Sequence, residues 1–465
     1  MHIPRVVLAG THSGAGKTTI ATGIMAVLHQ DGFPVQGYKV GPDYIDPTYH
    51  TLATGRPSRN LDRWLLSSHL REVFARSAKE NWAVIEGVMG MFDGMSGTPG
   101  YGSTADIARE LKAPVILIAD GSSMARSAAA LVYGYQNFEQ GLHLAGVIFN
   151  RVKSKMQEQI LRTAIKELDL PVLGCLPLET NLRLPERHLG LVPVGEHKPR
   201  EEYIEDLAIS IRQYIDIDLL IEIMQSAPAF QPTSEYRDLN EQLKVDANLE
   251  QDTQLKSRFR LGYAWDEAFL FYYRDALELM QRRGFTLIPF SPLHDRSLPP
   301  ELDGLMLGGG FPELFLEQLS QNQSMLESIR RFHAGGKPIY AECGGYMYLG
   351  QSIADFNGNS YPVVGIIPMH SEMTSRLQGI GYHRGELLKP SFLGKEGTLV
   401  QGHEFHYSKV TFDSEPKPAY RLIKGESERL EGYAHQNIFA SYLHLNFAGQ
   451  PELIEFWHQT NGVSP

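Results

Sequence analysis

Two α/β domains in series, each built on a parallel sheet, are predicted by three observations. Short β-rich runs alternate with helical stretches up to about residue 200, the pattern breaks once near residue 226, and it resumes from about residue 258. The first set of runs is Val6–Ala9, Val35–Val40, Ala83–Glu86, Pro114–Asp120, Ala145–Asn150 and Pro171–Leu176, and the second is Leu261–Trp265, Leu287–Phe290, Gly304–Leu307, Pro338–Ala341 and Val363–Ile367. Between them Ser226 to Lys256 carries Pro228, Pro232, several Gln and Asn and mixed charges, the composition of a linker. The expected division is therefore 1–225, a linker 226–257, and 258–465. A chain of 465 residues is too long for one core, in keeping with this division.

Composition narrows the function classes. The chain is 42% hydrophobic and 21% charged, as expected for a soluble globular protein. The 43 Lys and Arg fall short of the 54 Asp and Glu, a net charge of −11, so no basic excess is available for a nucleic-acid partner. No window approaches the uninterrupted apolar length of a membrane span. The start, Met1-His2-Ile3-Pro4-Arg5, runs directly into a strand and lacks the pattern of a signal peptide. Two cysteines, Cys175 and Cys343, make a disulfide framework unlikely at this length and fit a reducing, cytoplasmic setting.

The first strand ends in Gly10-Thr-His-Ser-Gly-Ala-Gly-Lys-Thr-Thr19, followed by a helical run. Glycines such as Gly14 and Gly16 let backbone N–H groups turn towards phosphate oxygens, and the helix N-terminus adds partial positive charge. In this arrangement Lys17 reaches the β- and γ-phosphates of ATP, the Thr18 hydroxyl ligates Mg²⁺, and Thr19 completes the nucleotide loop. The strict pattern places Gly at the position of Thr11, so the match is a variant one.

Two acidic clusters begin at strand ends, Lys39-Val-Gly-Pro-Asp43-Tyr-Ile-Asp46 and Glu86-Gly-Val-Met-Gly-Met-Phe-Asp93. Mg²⁺ prefers one or two carboxylates with phosphate oxygens and water, which makes Asp43 and Glu86 its candidate ligands. Lys39 is placed to neutralise a transferring phosphoryl group, and Asp46 and Asp93 to orient the substrate carboxylate or incoming ammonia. Ser103-Thr-Ala-Asp106 opens a helix with capping chemistry, and Asp120 closes a Val- and Ile-rich strand. Asn150 closes another strand, where its amide can read both edges of adenine.

In the second half, Pro338-Ile-Tyr-Ala-Glu-Cys343-Gly-Gly-Tyr-Met runs a strand into a Gly-rich turn and then a helix. That puts Cys343 on a sharp elbow, and an adjacent imidazole would raise its thiolate fraction. His444, in Ser441-Tyr-Leu-His444-Leu-Asn446, is the candidate base. Backbone N–H groups of Gly309 and Gly310, after the strand Gly304–Leu307, are candidates for an oxyanion hole. Cys175, inside Val-Leu-Gly-Cys-Leu-Pro, reads as a buried core thiol.

The Thr-containing loop resembles that of dethiobiotin synthetase and its relatives, which phosphorylate a carboxylate or carbamate. The DNA-partitioning and division-site ATPases usually carry a second lysine near the loop's start, where this chain has Thr11-His12-Ser13. The Cys343 and His444 arrangement resembles a class I glutamine amidotransferase, which usually has a glutamate two residues after the histidine; here that residue is Asn446. Either a carboxylate elsewhere supports the imidazolium, or the Cys–His pair works alone. The expected architecture is thus a P-loop parallel-sheet domain followed by a class I glutamine amidotransferase-like α/β domain.

Taken together, Lys39–Asp46, Glu86–Asp93, Gly308–Glu313, Glu342–Gly345 and Gly402–Ser408 resemble the cobyrinate/hydrogenobyrinate a,c-diamide synthase family over essentially the whole length. The resemblance implies an enzyme that uses ATP, Mg²⁺ and L-glutamine to amidate the c and then the a side chain of cobyrinate through acyl phosphates, in cobalamin biosynthesis, with ammonia moving through an internal channel. It leaves open hydrogenobyrinate or a nickel sirohydrochlorin as substrate, and assigns Gly381–Glu386 and Gly402–Ser408 either to glutamine binding or to the domain interface. A homodimer is implied by the dethiobiotin-synthetase likeness. The competing class is a regulatory P-loop ATPase with a degenerate tail; Asn446 favours it, and the retention of Cys343 and His444 argues against it.

Overall fold

The computed structural model describes residues 1–95, 98–178, 186–187, 190–191, 201–232, 259–425 and 427–461. The chain forms two compact units, Met1–Arg63 with Ser67–Glu250, and Trp64–Leu66 with Gln251–Pro465. No described helix is long and apolar enough to cross a membrane.

The first unit is built on a seven-stranded sheet. Its strands are β1 Arg5–Gly10, β2 Val35–Val40, β3 Arg59–Leu61, β4 Trp82–Glu86, β5 Val115–Asp120, β6 Leu144–Val152 and β7 Val172–Pro177, in the order β3-β2-β4-β1-β5-β6-β7. Every pairing is parallel. β1 and β2 are buried along their whole lengths, so sequence periodicity shows runs rather than alternation. The polar residues of β2 survive burial because each finds a partner: Gln36 Nε2 donates to the Pro57 carbonyl at 2.9 Å, and the Tyr38 and Ser77 hydroxyls lie 2.8 Å apart. The six predicted runs are all strands, with ends shifted by a residue or two; β3, only three residues long, was not expected. Because β1 lies inside the sheet, between β4 and β5, the loops leaving their carboxyl ends converge at a switch point, where open α/β sheets bind ligands.

The start of the predicted linker belongs to this unit. Phe230 is 2% exposed, stacks edge-on against Phe74, and lies under the Arg71 guanidinium at 4.9 Å. Arg5 donates to the Pro228 carbonyl, and the Phe230 N–H donates to the Met1 carbonyl. Linker composition hid an anchor; the remainder, 233–257, lies outside the described residues. Phe230→Ala should destabilise this unit by about 3–5 kcal/mol, the usual range for emptying a buried aromatic site. The measurement is hydrogen exchange, which should show lost protection across β1; unchanged protection would show that the anchor is dispensable.

The second unit has a six-stranded sheet ordered Phe285–Phe290, Phe259–Ala264, Gly304–Leu307, Ile339–Glu342, Ile438–Ser441, Tyr433–His435. All pairs are parallel except the last. Two further sheets follow within residues 352–445. One is ordered Ser360–Pro362, Ser352–Ala354, Met369–Met373, Ser408–Phe412; the other Ser427–Glu431, Tyr420–Lys424, Gly379–Leu387, Leu399–His406, His444–Leu445.

One expectation fails here: Val363–Ile367 is not a strand. Val363, Val364 and Ile367 are buried, but the segment's N–H groups are committed elsewhere. Val364 donates to the Tyr348 carbonyl, and Ile366 and Ile367 both donate to that of Leu349. The segment closes the carboxyl end of the short helix Gly344–Tyr348, satisfying carbonyls that helix leaves open.

Candidate active sites

The lysine-bearing loop leaves β1 and enters helix α1, Lys17–Gln30, through Gly16, whose φ of 97° favours glycine. A Cβ there would also sit 2.1 Å from Asn150 Nδ2, so the position admits no side chain. Asn150 Nδ2 donates to the Ala15 carbonyl at 3.0 Å while its Oδ1 accepts the Arg151 N–H. The Asn150 amide nitrogen thus also braces the loop. Two residues not singled out from sequence do the same. Arg151 donates to the Gly14 carbonyl and pairs with Asp120 at 2.7 Å, and the Tyr135 hydroxyl donates to the Thr11 carbonyl at 2.7 Å.

Lys17 folds back over the loop. Its ammonium donates to the Met89 carbonyl at 2.6 Å and the His12 carbonyl at 3.1 Å. Burial, with a smaller push from the Lys39 ammonium, pulls it down to about 8 against the attraction of Glu86, Asp46 and Asp93.

Thr18 meets the two acidic clusters. Its hydroxyl lies 2.7 Å from Glu86 Oε1 and 3.3 Å from Asp46 Oδ2. Lys39 pairs with Asp46 at 2.6 Å and with Glu86 at 2.8 Å. His50, a further residue missed from sequence, holds the other Glu86 oxygen at 2.7 Å. Burial alone would raise Glu86; Lys39 and His50 outweigh it and keep the carboxyl well below its usual range. Burial likewise opposes the charge on Lys39, but Asp46 and Glu86 more than offset it and hold the ammonium above its usual range. Burial and the neighbouring Asp43 push Asp46 up, against Lys39.

Asp43 plays a different local part. Its Oδ1 accepts the N–H groups of Ile45 and Asp46, fixing the turn into helix α2, Asp46–Thr54. The carboxylate that reaches Thr18 is therefore Asp46. Asp93 accepts the Gly90 N–H at 2.8 Å, and its charge acts on Lys17. Ser103 is an N-cap, accepting from Asp106 N, while the Asp106 carboxylate accepts the Gly102 N–H. Thr18, Asp46 and Glu86 make an all-oxygen donor set too small to enclose a cation alone, which suits Mg²⁺ completed by phosphate oxygens and water. Among the described residues no group of three or more His, Cys, Asp or Glu could hold a metal.

In the second unit Cys343 sits at φ 45°, ψ −103°, a conformation an L-residue enters only under constraint. The constraint is close packing after the strand: a Cβ at Gly345 would lie 2.3 Å from the Leu307 carbonyl oxygen, so only glycine lets the elbow helix settle there. A Cβ at Gly344 would stand 3.1 Å from Gly310 N, which puts that N–H beside the elbow, and one at Gly309 would stand 2.5 Å from His444 Cε1. The two predicted oxyanion glycines thus flank the Cys343 elbow and the His444 ring.

His444 is buried and pairs across strands with His403, ring centroids 5.0 Å apart. Its imidazole hydrogen-bonds to Cys343, and its Nδ1 lies 3.3 Å from Glu342 Oε2. Burial disfavours the imidazolium, but the bonds and charges of Cys343 and Glu342 prevail and push His444 up to about 10. Asn446 does not face the ring with its amide oxygen, which accepts Ala448 N and caps the turn Phe447–Gly449. Cys175 lies buried in β7, its thiol pushed up to about 11 by burial, as expected of a core residue.

Fold and sites define a class: one chain carrying a phosphate-binding lysine loop on a parallel sheet and a Cys–His glutaminase centre on another. Residues 6–192 match the CobQ/CobB/MinD/ParA nucleotide binding domain, and residues 260–452 match the CobB/CobQ-like glutamine amidotransferase domain. The chain is 44% identical over 461 residues to the cobyrinate a,c-diamide synthase of Dehalococcoides mccartyi strain CBDB1, covering 97% of each chain. It is 41% identical over 455 residues to that of Methanothermobacter thermautotrophicus strain Delta H, covering 96% of this chain and 97% of that one. It is also 41% identical over 457 residues to that of Salmonella typhimurium strain LT2, covering 97% of this chain and 96% of that one. The chain belongs to the cobyrinate a,c-diamide synthase family, a family of amidating ligases.

Proposed function

We propose that the protein makes amides from two carboxylates of cobyrinate, the a and c side chains, using ATP and L-glutamine, as a step of cobalamin biosynthesis in the cytoplasm. The observation that carries this reading is the presence, on one chain, of Lys17 in its loop beside Thr18, Asp46 and Glu86, and of Cys343 bonded to His444.

A carboxylate is a poor electrophile because oxide is a poor leaving group. Transfer of the γ-phosphoryl group of ATP gives an acyl phosphate and ADP. Ammonia then attacks the acyl carbon, phosphate leaves, and the surplus proton goes to solvent or a nearby base. In this scheme Lys17 holds the β- and γ-phosphates, Lys39 steadies the charge between Asp46 and Glu86, and Asp93 orients the substrate. Thr18, Asp46 and Glu86 would hold Mg²⁺, with Asp43 setting the turn that presents Asp46. The ion, when bound, neutralises phosphate charge. Asn150 supports the loop on which the nucleotide lies.

Ammonia comes from glutamine. The Cys343 thiolate attacks the side-chain amide, the N–H groups of Gly309 and Gly310 receive the oxyanion, and His444 gives its proton to the departing ammonia. Water then hydrolyses the thioester to glutamate. A homodimer is proposed from the dethiobiotin-synthetase likeness of the first unit.

The substrate is tested with cobyrinate, hydrogenobyrinate and nickel sirohydrochlorin, each supplied with ATP, Mg²⁺ and glutamine and read by mass. Two successive amidations of cobyrinate, preferred over both others, are expected; preference for either alternative would reassign the substrate while leaving the chemistry.

A further inference from the structure

We propose that Glu342, the residue directly before the nucleophile, is the positioning residue of the glutaminase centre: its carboxylate orients the His444 imidazole through Nδ1 and balances the charge the ring gains. The inference rests on Cys343 being the nucleophile. It fills the place that Asn446 does not.

The geometry is specific. Glu342 ends the strand Ile339–Glu342 and is 3% exposed. Its Oε1 accepts the Tyr340 hydroxyl at 2.6 Å and the Leu445 N–H at 3.0 Å. Those two donors fix the carboxylate plane and leave Oε2 for His444 Nδ1, at 3.3 Å. A carboxylate oxygen accepts, so a hydrogen on Nδ1 suits this contact and leaves the other ring nitrogen available to the thiol. Successive strand residues point to opposite faces, so Glu342 and Cys343 would ordinarily diverge. The elbow at Cys343 breaks that alternation, and one imidazole touches both. The register supports this: Glu342 pairs with Ser441, and the chain leaving Ser441 reaches His444 three residues later.

The neighbouring titratable groups do not replace this role. Beside Cys343 and Glu342, the His444 ring meets the buried His403, whose Nε2 is bonded to the Tyr273 hydroxyl, and influences His406. Burial lowers His406 to about 4, leaving it neutral. Around Glu342 stand the phenols Tyr340, Tyr272 and Tyr420, each pushed above its usual range by burial and so uncharged. The other buried carboxylates nearby are committed: Glu431 to Ser441 Oγ at 2.6 Å and Tyr442 N at 2.8 Å, and Glu404 to the Arg429 guanidinium and the His383 imidazole.

The test is Glu342→Gln in the full-length enzyme. The amide can still accept from Tyr340 and Leu445, but it lacks the charge and turns a donor towards His444. Glutamine-dependent kcat/KM is expected to fall on the order of 10²-fold, within the range for a disabled acid–base group. The alkaline limb of its pH profile, which needs the imidazolium that Glu342 helps to hold, should move down. Amidation with added ammonia bypasses this centre and reports folding. Asn446→Ala, which removes a cap, should leave the limb where it was. Glutamine turnover within about threefold of the parent, with an unmoved limb, overturns the proposal. If the variant fails to fold, ¹⁵N-histidine NMR of the parent decides: an imidazolium with a hydrogen-bonded Nδ1 above about pH 8 supports it, and a neutral ring there overturns it. Cys343→Ala tests the underlying reading separately, because retained glutamine turnover in that variant would remove the nucleophile itself.

Discussion

Cys343→Ala is expected to abolish glutamine-dependent amidation, a loss on the order of 10⁴-fold or more, while amidation with added ammonia continues. The asymmetry follows from the division of chemistry between the two units. In the proposed mechanism the thiolate displaces ammonia as it forms the thioester, and no other described cysteine stands in the second unit. Alanine removes the nucleophile and leaves the strained elbow, whose backbone is held by Gly345 against Leu307 and by the Cys343 N–H donating to the Ser441 carbonyl. The measurement compares product formation with glutamine and with ammonium at saturating ATP. Loss of both activities in a folded variant would show that activation and ammonia release are not separate centres.

Lys17→Ala is expected to remove amidation with either nitrogen source, lowering kcat/KM for ATP by at least about 10²–10³-fold, the scale for one charge-stabilising donor. The lysine is held in a buried site where two carboxylates, Glu86 and Asp46, already offset Lys39. Among the described residues the neighbouring cations are committed: Lys39 is bound at 2.6 and 2.8 Å, and Arg151 is tied to Asp120 and Gly14. Steady-state ATP kinetics with ammonia as nitrogen donor isolates the effect. Normal turnover would refute the assignment of the loop.

The parallel sheets were legible because strands buried on both faces read as apolar runs, and each motif lies at the end of one. The same rule misread Val363–Ile367, since burial marks an apolar segment without saying where its N–H groups go; these go to the end of the elbow helix. Several strands of residues 352–431, such as Ser427–Glu431, are short and mostly exposed and carry no comparable signal. At the sites, spacing singles out Lys17, Thr18, Cys343 and His444 as candidates, because the roles proposed for them depend on local loop shape. In sequence Glu342 is only one residue of a motif, because the role proposed for it emerges only when the elbow turns Cys343 back towards the same ring. His50, Tyr135 and Arg151 act from distant segments, and nothing in their local sequence marks them. Spacing points to Asp43 for an ion and to Asp46 for the substrate; the turn that spends Asp43 on its own backbone cannot be read from spacing.

The hydrogen bond from Lys17 to the Met89 carbonyl makes nucleotide binding an exchange of partners. In the role proposed for Lys17, phosphate competes with the Met89 carbonyl for the ammonium, and Met89 lies between Glu86 and Asp93 with a left-handed backbone, φ 47°. Nucleotide affinity and the conformation of that segment are therefore two readings of one equilibrium. By reciprocity, any ligand that draws the segment away from Lys17 tightens phosphate binding by the same factor that phosphate tightens its own.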